Sequence, residues 1–323
     1  MIKFTQTPDR KALSMKNYVI VTDHSAALST ALMKRYHIAE SVYLHINRPD
    51  GSSFLSDRDW KMFTPDQFFG QMANKKQIYR TSAANIEEIK AIFEPHLKAG
   101  EDILSINISH ALSGTYDHVY KAAEELRAAY PGSKIVVIDS LVFGPGLTLL
   151  AIRAAINRDN GMSLEDNAKW LEENKIRVHE AGPMDDLFFL ARQGRINHAA
   201  AFFGTMAGVK PMGEFGDNGM TTVIYKAKGY KKAMKVAIAY IKETIVEPEK
   251  QVIFIGQSYR KEQAEEFAEL IREEIQPRDV VVLSIDMSTG SNLGPGLNAA
   301  YYFGKPRSAG LVEEKAIIER VAA

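Results

Sequence analysis

Cysteine is absent from this chain of 323 residues, which excludes disulfide bonds, thiolate nucleophiles, zinc–cysteine sites and iron–sulfur clusters. A charge excess is absent too, because 40 Lys and Arg residues balance 40 Asp and Glu residues. Proteins that coat nucleic acid, or that hold a membrane surface through a polybasic segment, normally carry a basic excess. We therefore expect a chain that binds neither.

Long apolar runs are also missing. The longest apolar region, 135–156, is interrupted by Asp139 and Arg153, whereas a membrane-spanning helix needs about 20 mostly apolar residues. The first 16 residues lack the apolar stretch of a signal peptide. The lack of cysteine fits a reducing compartment. These three absences together predict a cytoplasmic protein without an integral membrane segment.

In the first half of the chain, short β-branched runs alternate with helical patterns. Such alternation predicts a three-layer α/β/α domain with a mostly parallel sheet and helices on both faces. A helix is also expected between the first strand and Tyr36. The predicted strands are 17–22, 41–46, 103–108 and 134–138, and the other predicted helices are 85–98, 116–130 and 146–158.

The second half has a different pattern. Two strands flank Asp217-Asn218-Gly219, a typical hairpin turn, and further strands and helices follow. We expect a mixed sheet here, and two domains covering residues 1–170 and 171–323. The predicted elements are helices 185–206, 229–246 and 262–274, strands 208–213, 221–226, 251–256 and 279–284, a glycine-rich turn over 290–296, and a short helix within 305–323.

Ligands of an open parallel sheet bind beyond the carboxyl ends of its strands. Three such ends carry small polar residues: Asp23-His24-Ser25, Ser113-Gly114-Thr115 and Asp139-Ser140. The second directly precedes a helix, whose free N–H groups and dipole favour an anion, and Gly114 lets a ligand approach the backbone closely. A plain N-cap would explain the same residues.

Other segments add candidates. The hydroxyls of Thr81-Ser82 precede helix 85–98 and could reach the same anion, or could form an ordinary cap. Arg195 follows Gly194 at a helix break and suits a charge clamp, or is a surface residue. Asn292 lies in the glycine-rich turn, which is either shaped around a ligand or simply rigid. His110 and Ser113 could form a hydrolytic pair, but there is no G-x-S-x-G elbow and no evident acid to orient the histidine.

Taken together, these segments resemble the DegV family of bacterial fatty-acid-binding proteins over most of the chain. The segments, with the family pattern that each resembles, are Asp23-His24-Ser25-Ala26 (D-S-S-A-D), Thr81-Ser82 (T-S-Q-P), Leu112-Ser113-Gly114-Thr115-Tyr116 (L-S-G-T-Y), Asp139-Ser140 (D-S), Leu190-Ala191-Arg192-Gln193-Gly194-Arg195-Ile196 (L-x-x-G-G-R-I), Val209-Lys210-Pro211 (I-K-P), Lys228-Gly229-Tyr230-Lys231-Lys232-Ala233 (R-G-x-K-K-A) and Gly294-Pro295-Gly296 (G-P-G).

The resemblance implies two α/β domains that hold a long-chain fatty acid between them, with no cofactor. It implies that a separate fatty acid kinase phosphorylates the bound carboxylate, so that this chain is a carrier and not an enzyme. Ser113 and Thr81 would hold the carboxylate, and Arg195 and Lys228 would face the kinase. The full implied ligand site is Thr81, Ser82, Ser113, Gly114, Thr115, Asn292 and Arg195. Candidates for the lining of the tunnel are Phe143, Phe202, Phe203 and Met206, which could equally be ordinary core residues.

The chain departs from the family pattern at the head-group end. Asn292 stands where the family's G-x-H-x-G-P-G loop has histidine, and asparagine cannot become a cation. His24 or His110 could compensate for that loss. Gln193 replaces the first glycine of the G-G-R pair. These changes leave a carrier of a different anion as the alternative, and a hydrolase using Ser113 and His110 as the least favoured one.

Overall fold

The computed structural model of the chain describes residues 17–196 and 208–323, and the strands in these ranges form four sheets. The strands are β1 (Tyr18–Thr22), β2 (Leu44–Asn47), β3 (Ser53–Leu55), β4 (Arg80–Ala83), β5 (Asp102–Asn107), β6 (Ile135–Asp139), β7 (Val178–Ala181), β8 (Val209–Phe215), β9 (Thr221–Lys228), β10 (Val252–Gln257), β11 (Asp279–Ser284) and β12 (Asn298–Phe303). The α-helices are α1 (Thr30–Tyr36), α2 (Pro65–Met72), α3 (Ile86–Lys98), α4 (Thr115–Ala129), α5 (Gly144–Asp159), α6 (Leu164–Asn174), α7 (Phe188–Arg192), α8 (Tyr230–Thr244), α9 (Lys261–Glu274), α10 (Met287–Leu293) and α11 (Val312–Ala322).

A parallel sheet with strand order β1-β5-β6 forms the centre of the N-terminal half. Neighbouring residues of a strand point to opposite faces. On β5, Ile103 packs into the core formed with α3 and α4, and Leu104 packs into the core that contains α5 and α6. The predicted three-layer α/β/α arrangement is therefore confirmed.

The second large sheet is mixed, as predicted, with strand order β11-β10-β12-β7. Strand β10 runs parallel to β11 and antiparallel to β12. Strands β8 and β9 form the predicted hairpin around Asp217-Asn218-Gly219. A short antiparallel sheet, β3-β2-β4, lies beside the parallel one.

Helix α5 lies between the two large sheets and contacts strands of both. Most of its 16 residues are buried, and a helix that is apolar all round is typically buried all round. This position explains the apolar region 135–156. Within residues 17–196 and 208–323, no helix is both long enough and apolar enough to cross a membrane. One continuous core extends across α5, and the boundary at residues 170–171 stays a prediction.

Several local predictions were wrong. The expected glycine-rich turn over 290–296 is largely helix α10, whose N-cap Asp286 accepts a hydrogen bond from the Thr289 amide at 2.8 Å. The expected helix 185–206 is reduced to α7 among the described residues, and 197–207 lie outside them. Thr81 and Ser82 belong to strand β4, and the cap of helix α3 is Asn85, so the ordinary cap considered for these two residues is not formed.

The predicted C-terminal helix is confirmed as α11. It packs against α8 and β9, and Ile318 is fully buried in the core of the second half. The end of the chain is therefore part of the fold.

Candidate ligand-binding site

A cavity of about 40 Å³ lies beyond the carboxyl ends of the parallel strands. Ser25, Ile108 and Phe143 follow β1, β5 and β6 and form one wall. Residues of α7, β9 and α10 form much of the remaining lining. This is the edge at which an open α/β sheet binds its ligands. The lining residues are Ser25, Leu44, Thr81, Ile108, Leu112, Ser113, Phe143, Leu190, Arg195, Thr221, Ser288, Thr289, Asn292 and Leu293.

Four residues predicted from the sequence meet at this cavity although they are far apart in the chain: Thr81, Ser113, Arg195 and Asn292. The Asn292 amide nitrogen Nδ2 donates to Thr81 Oγ1 and to the Ser288 carbonyl, both at 3.0 Å. Asn292 therefore connects α10 to β4 and orients the threonine hydroxyl.

Ser113 and Arg195 are connected through the turn before α4. Ser113 Oγ shares a 2.9 Å hydrogen bond with Thr115 Oγ1, and Arg195 Nε donates to the Leu112 carbonyl at 3.1 Å. Burial lowers the pKa of Arg195, yet an arginine stays charged at neutral pH. In the described part of the chain Arg195 has no carboxylate partner, so its positive charge is available to an anion.

Two further hydroxyls line the cavity. Ser25 and Ser288 are only 1% and 2% exposed, and the Oγ atoms of both lack a hydrogen-bond partner among the described residues. Buried hydroxyls are normally paired, so these two can accept or donate a bond to a ligand. The sequence had indicated Ser25 as part of a strand end. It gave no signal for Ser288, because α10 itself was not predicted.

Two buried carboxyl groups, Asp23 and Asp286, accept hydrogen bonds from backbone amides of the segments that line the cavity. Asp23 accepts from the Ser25 amide at 2.8 Å and from the Ile108 amide at 2.7 Å, which joins the ends of β1 and β5. Asp286 caps α10, and burial together with the charge of Asp23 raises the pKa of Asp286 to about 7. These bonds fix Ser25 and the start of α10, which also contact each other because Thr289 Oγ1 donates to the Ser25 carbonyl at 3.4 Å.

The glycine after α10 sets how closely α7 approaches. Gly294 has φ +75°, and a Cβ at this position would lie 2.1 Å from Cδ2 of Phe189 on α7. Only glycine combines this backbone conformation with such a close approach. The G-P-G segment thus packs against the helix that carries Leu190 and precedes Arg195.

A second, smaller cavity of about 20 Å³ continues the first and shares Phe143, Leu190, Thr221 and Leu293 with it. Its remaining lining is mostly apolar and includes Met184, Leu187, Ile196, Pro211, Val223 and Leu297. The two cavities together have a polar end and an apolar end.

One ionisable group, Glu180, lines the apolar cavity. It is 3% exposed, and its Oε2 atom has no partner in residues 17–196 and 208–323. Burial, followed by the charge of Glu214, raises the pKa of Glu180 to about 8. Glu180 is therefore mainly protonated at pH 7. The sequence gave no sign of this residue as part of a site.

The pKa of Glu214 is shifted in the opposite direction, to below its ordinary value. Burial alone would raise its pKa, but the charge and hydrogen bond of His179, whose Nδ1 lies 2.7 Å away, lower it. The Tyr240 hydroxyl and the Glu180 amide donate to Glu214 at 2.8 Å each. The charge of the ionised Glu214 thus adds to burial in keeping its neighbour Glu180 protonated.

The other predicted residues lie outside the two cavities. Ser82 is exposed on the other face of β4 and accepts from Asn47 Nδ2 at 3.3 Å. Gly114 is exposed with φ −69°, and a Cβ there would meet nothing within 4 Å. Thr115 is fully buried beneath Ser113, and Lys228 is exposed at the end of β9.

Of the four residues predicted to line a tunnel, one can be placed in the structure. Phe143 lines both cavities. Phe202, Phe203 and Met206 lie outside the described residues.

Neither histidine proposed to replace the missing one reaches the cavity lining. His24 is buried, and its Nδ1 lies 2.9 Å from Ser56 Oγ. Burial, followed by the charge of Arg58, lowers the pKa of His24 to about 3, so it stays neutral. His110 is half exposed, and its Nδ1 lies 2.5 Å from Asp139 Oδ2.

Asp139 is the orienting acid that the sequence did not reveal for His110. A catalytic triad also requires the histidine to contact the nucleophile. In the described structure, however, the hydroxyl of Ser113 bonds to Thr115, and His110 does not line the cavity. The arrangement therefore lacks the serine–histidine contact of a hydrolase.

Comparison with known proteins gives a consistent result. The sequence model described as "Uncharacterised protein, DegV family" matches residues 17–305. A DegV domain-containing protein of Clostridium perfringens is 34% identical over 291 residues, covering 90% of this chain and 98% of the relative. A fatty-acid-binding DegV family protein of Thermus thermophilus has a TM-score of 0.79 at 24% identity, covering 89% of this chain and 99% of the other. DegV of Bacillus subtilis, a fatty acid binding protein, has a TM-score of 0.74 at 25% identity, covering 89% and 99%.

Proposed function

This chain belongs to the DegV family, and we propose that it is a carrier that holds a long-chain fatty acid and presents the carboxylate at its surface. The observation that carries the proposal is the pair of adjoining cavities: hydroxyls, Asn292 and Arg195 line the first together with apolar side chains, and mostly apolar side chains line the second. A fatty acid has the same division between a polar and an apolar end. The fatty-acid-binding relatives in Thermus thermophilus and Bacillus subtilis support it.

The carboxylate would lie between Thr81, Ser113 and the two unpartnered serines, Ser25 and Ser288. Hydroxyl donors and the amides at the start of α4 suit a carboxylate, and Arg195 supplies a compensating charge. The acyl chain would extend past Phe143 into the apolar cavity. These contacts orient the ligand, whereas most of the affinity comes from burying the chain at about 0.8 kcal/mol per CH₂ group.

The size of the cavities sets a requirement on this binding. At about 40 and 20 Å³, they are much smaller than the roughly 300–1,000 Å³ of typical ligand pockets. A long acyl chain can therefore enter only if the lining side chains move apart. Part of the hydrophobic free energy is spent on that opening.

Native mass spectrometry of the protein purified without added lipid, followed by organic extraction, tests the proposal. We expect a stoichiometric long-chain fatty acid. The double variant Thr81→Ala/Ser113→Ala should retain less of it, and Ser82→Ala is the matched control because Ser82 faces away from Thr81 on the same strand. Equal retention in the double variant would reject these carboxylate contacts, and a protein free of fatty acid that also fails to take up palmitate would reject the carrier function.

We further propose that a separate fatty acid kinase subunit receives the ligand at this mouth, with Arg195 and the exposed Lys228 as contacts. The half-buried guanidinium of Arg195 beside the Ser113 turn supports this role. Phosphorylation of the bound fatty acid by a bacterial fatty acid kinase subunit and ATP would test it. Lys228→Ala should slow the reaction while fatty acid binding persists, Arg195→Ala should slow it by more than its effect on binding explains, and unchanged rates in both variants would contradict the assignment.

Asn292 favours one alternative within the same fold, a carrier of another anion. The side chain of Asn292 is neutral and is already bonded to Thr81 and Ser288, so the head-group site lacks the cation that a histidine could provide. Extraction of a different stoichiometric anion would establish this alternative. We do not expect enzymatic activity, and turnover of an activated ester that Ser113→Ala abolishes would overturn that expectation.

A further inference from the structure

A second cleft, of about 660 Å³, lies at the C-terminal end of α5. The candidate fatty-acid cavity lies at the opposite, N-terminal end of the same helix, where Phe143 is the N-cap. Phe143 and Ile156 are 13 residues apart, which corresponds to roughly 20 Å along a helix. The cleft is therefore separate from the candidate ligand-binding site, and a ligand of this cleft does not depend on the proposed function.

Basic residues dominate the charge of this cleft. Five of them line it, Arg35, Arg153, Arg177, Lys250 and Arg278, against two acidic residues, Asp159 and Glu247. Both acids already have a basic partner: Asp159 pairs with Arg158 at 3.0 Å, and Glu247 pairs with Lys250. The lining therefore carries more basic than acidic side chains, and neither of its carboxylates pairs with Arg153.

Arg153 is the most informative of these residues. Its guanidinium is half buried, 5.8 Å from the centre of the Phe303 ring, and in the described ranges it has no hydrogen bond or ion pair. Burial, together with the like charge of Arg278, lowers the pKa of Arg153. A buried guanidinium without a counter-charge is costly, and an anion bound in the cleft would offset that cost.

An apolar crevice of about 50 Å³ adjoins the cleft and shares Arg153, Lys250 and Arg278 with it. Its other lining is largely apolar: Leu149, Ile152, Ile156, Val252, Phe254 and Phe303. A ligand that used both parts would have an anionic head beside the guanidiniums and an apolar group in the crevice.

We propose that this cleft binds an amphipathic organic phosphate, with Arg153 contacting the phosphate and the adjoining crevice holding the apolar group. A phosphate fits better than a carboxylate, because its oxygens can accept from more than one guanidinium at once. The aromatic rings of Trp170 and Phe303, which meet edge to face at 6.2 Å, add apolar surface at the same place.

Isothermal titration of the full chain, loaded with palmitate, with hexyl phosphate, inorganic phosphate and hexanol tests the proposal. We expect hexyl phosphate to bind most tightly, inorganic phosphate more weakly, and hexanol not at all. Arg153→Gln should weaken hexyl phosphate binding at least about tenfold, because a hydrogen bond to a charged group is lost. Arg153→Lys should restore part of it, and the exposed Arg320→Gln is the matched control for charge.

Three outcomes would overturn the proposal. The first is an absence of hexyl phosphate binding up to about 1 mM, and the second is equal binding in Arg153→Gln. The third is binding that Thr81→Ala/Ser113→Ala abolishes but Arg153→Gln retains, which would place the probe in the other cavity. Thermal unfolding without anion is the control for folding: Arg153→Gln should unfold no lower than the parent, so that a lower affinity reports the lost contact with the phosphate.

Discussion

Glu180 gives the sharpest prediction, because its environment makes the stability of the protein depend on pH in an unusual direction. The pKa of a glutamate, ordinarily 4.5, is raised to about 8 in the folded chain by burial and by the charge of Glu214. Between these two values the folded state holds a proton that the unfolded state has released. The free energy of unfolding must then fall as the pH rises through this window.

The magnitude follows from the size of the shift. At about 1.4 kcal/mol per pKa unit, the destabilisation is about 3 kcal/mol at pH 7 and approaches about 5 kcal/mol above pH 8. Glu180→Gln keeps the shape of the protonated side chain and removes the titration. The variant should therefore differ little from the parent near pH 4.5 and should become progressively more stable than the parent from pH 5 to pH 8.

Urea unfolding of both proteins at pH 5, 6, 7 and 8 measures this difference, and the exposed Glu313→Gln serves as the matched control. A difference that stays constant with pH would refute the reasoning, since it would mean that Glu180 is ionised in the fold. The same group should affect the ligand: above pH 8 a carboxylate would form in the apolar cavity, so fatty acid affinity should fall in the parent and stay constant in Glu180→Gln.

Four further variants test other parts of the structure by chemical denaturation. Ser25→Ala and Ser288→Ala should each raise the free energy of unfolding of the unliganded protein by about 1 kcal/mol, because an unpaired buried hydroxyl is removed, and should weaken fatty acid binding; a loss of stability would show that these hydroxyls are paired. Gly294→Ala should cost about 1–3 kcal/mol more than Gly310→Ala, which shares its positive φ but has nothing within 4 Å of an added Cβ; equal effects would exclude the clash with Phe189. Ile318→Ala should cost about 2–5 kcal/mol because Ile318 is fully buried, whereas a negligible effect would mean that α11 does not contribute to the core.

The parallel sheet was predictable because each of its strands is a short β-branched run followed by a helix with its own signals. The capping box of α3, for example, was visible in the sequence: Asn85 and Glu88 exchange hydrogen bonds at 2.8 and 2.9 Å. The hairpin at Asp217-Asn218-Gly219 was equally local. Both predictions rest on residues that contact each other within a few positions of the chain.

Helix α10 was not predictable in the same way, since Gly290 and three neighbouring serine and threonine residues have low intrinsic helix propensity. The helix depends instead on the Asp286 cap and on packing against β2 and β4. Gly290 is required there because a Cβ would lie 2.7 Å from Phe69 Cζ. A glycine that suggests a turn in the sequence is thus a point of close helix packing in the fold.

In the candidate site, too, contacts between residues far apart in the chain could not be predicted from the sequence. Thr81, Ser113, Arg195 and Asn292 could be identified from their motifs, and the structure places them on one cavity. The pairing of His110 with Asp139, 29 residues away, could not be seen. Nor could the protonation of Glu180, because it depends on a charge 34 residues away that is itself held by His179.

The distribution of titratable groups separates head-group recognition from pH sensitivity. Within the described residues, hydroxyls, an amide and one guanidinium form the polar end of the cavity, and no imidazole lines it. Two buried carboxyl groups have pKa values near neutrality. Asp286, at about 7, is the N-cap of α10, and Glu180, at about 8, lines the apolar cavity. Within the described residues, Asp286 and Glu180 are therefore the groups expected to change ligand affinity between pH 7 and pH 8, and Glu180→Gln together with Asp286→Asn should remove that change.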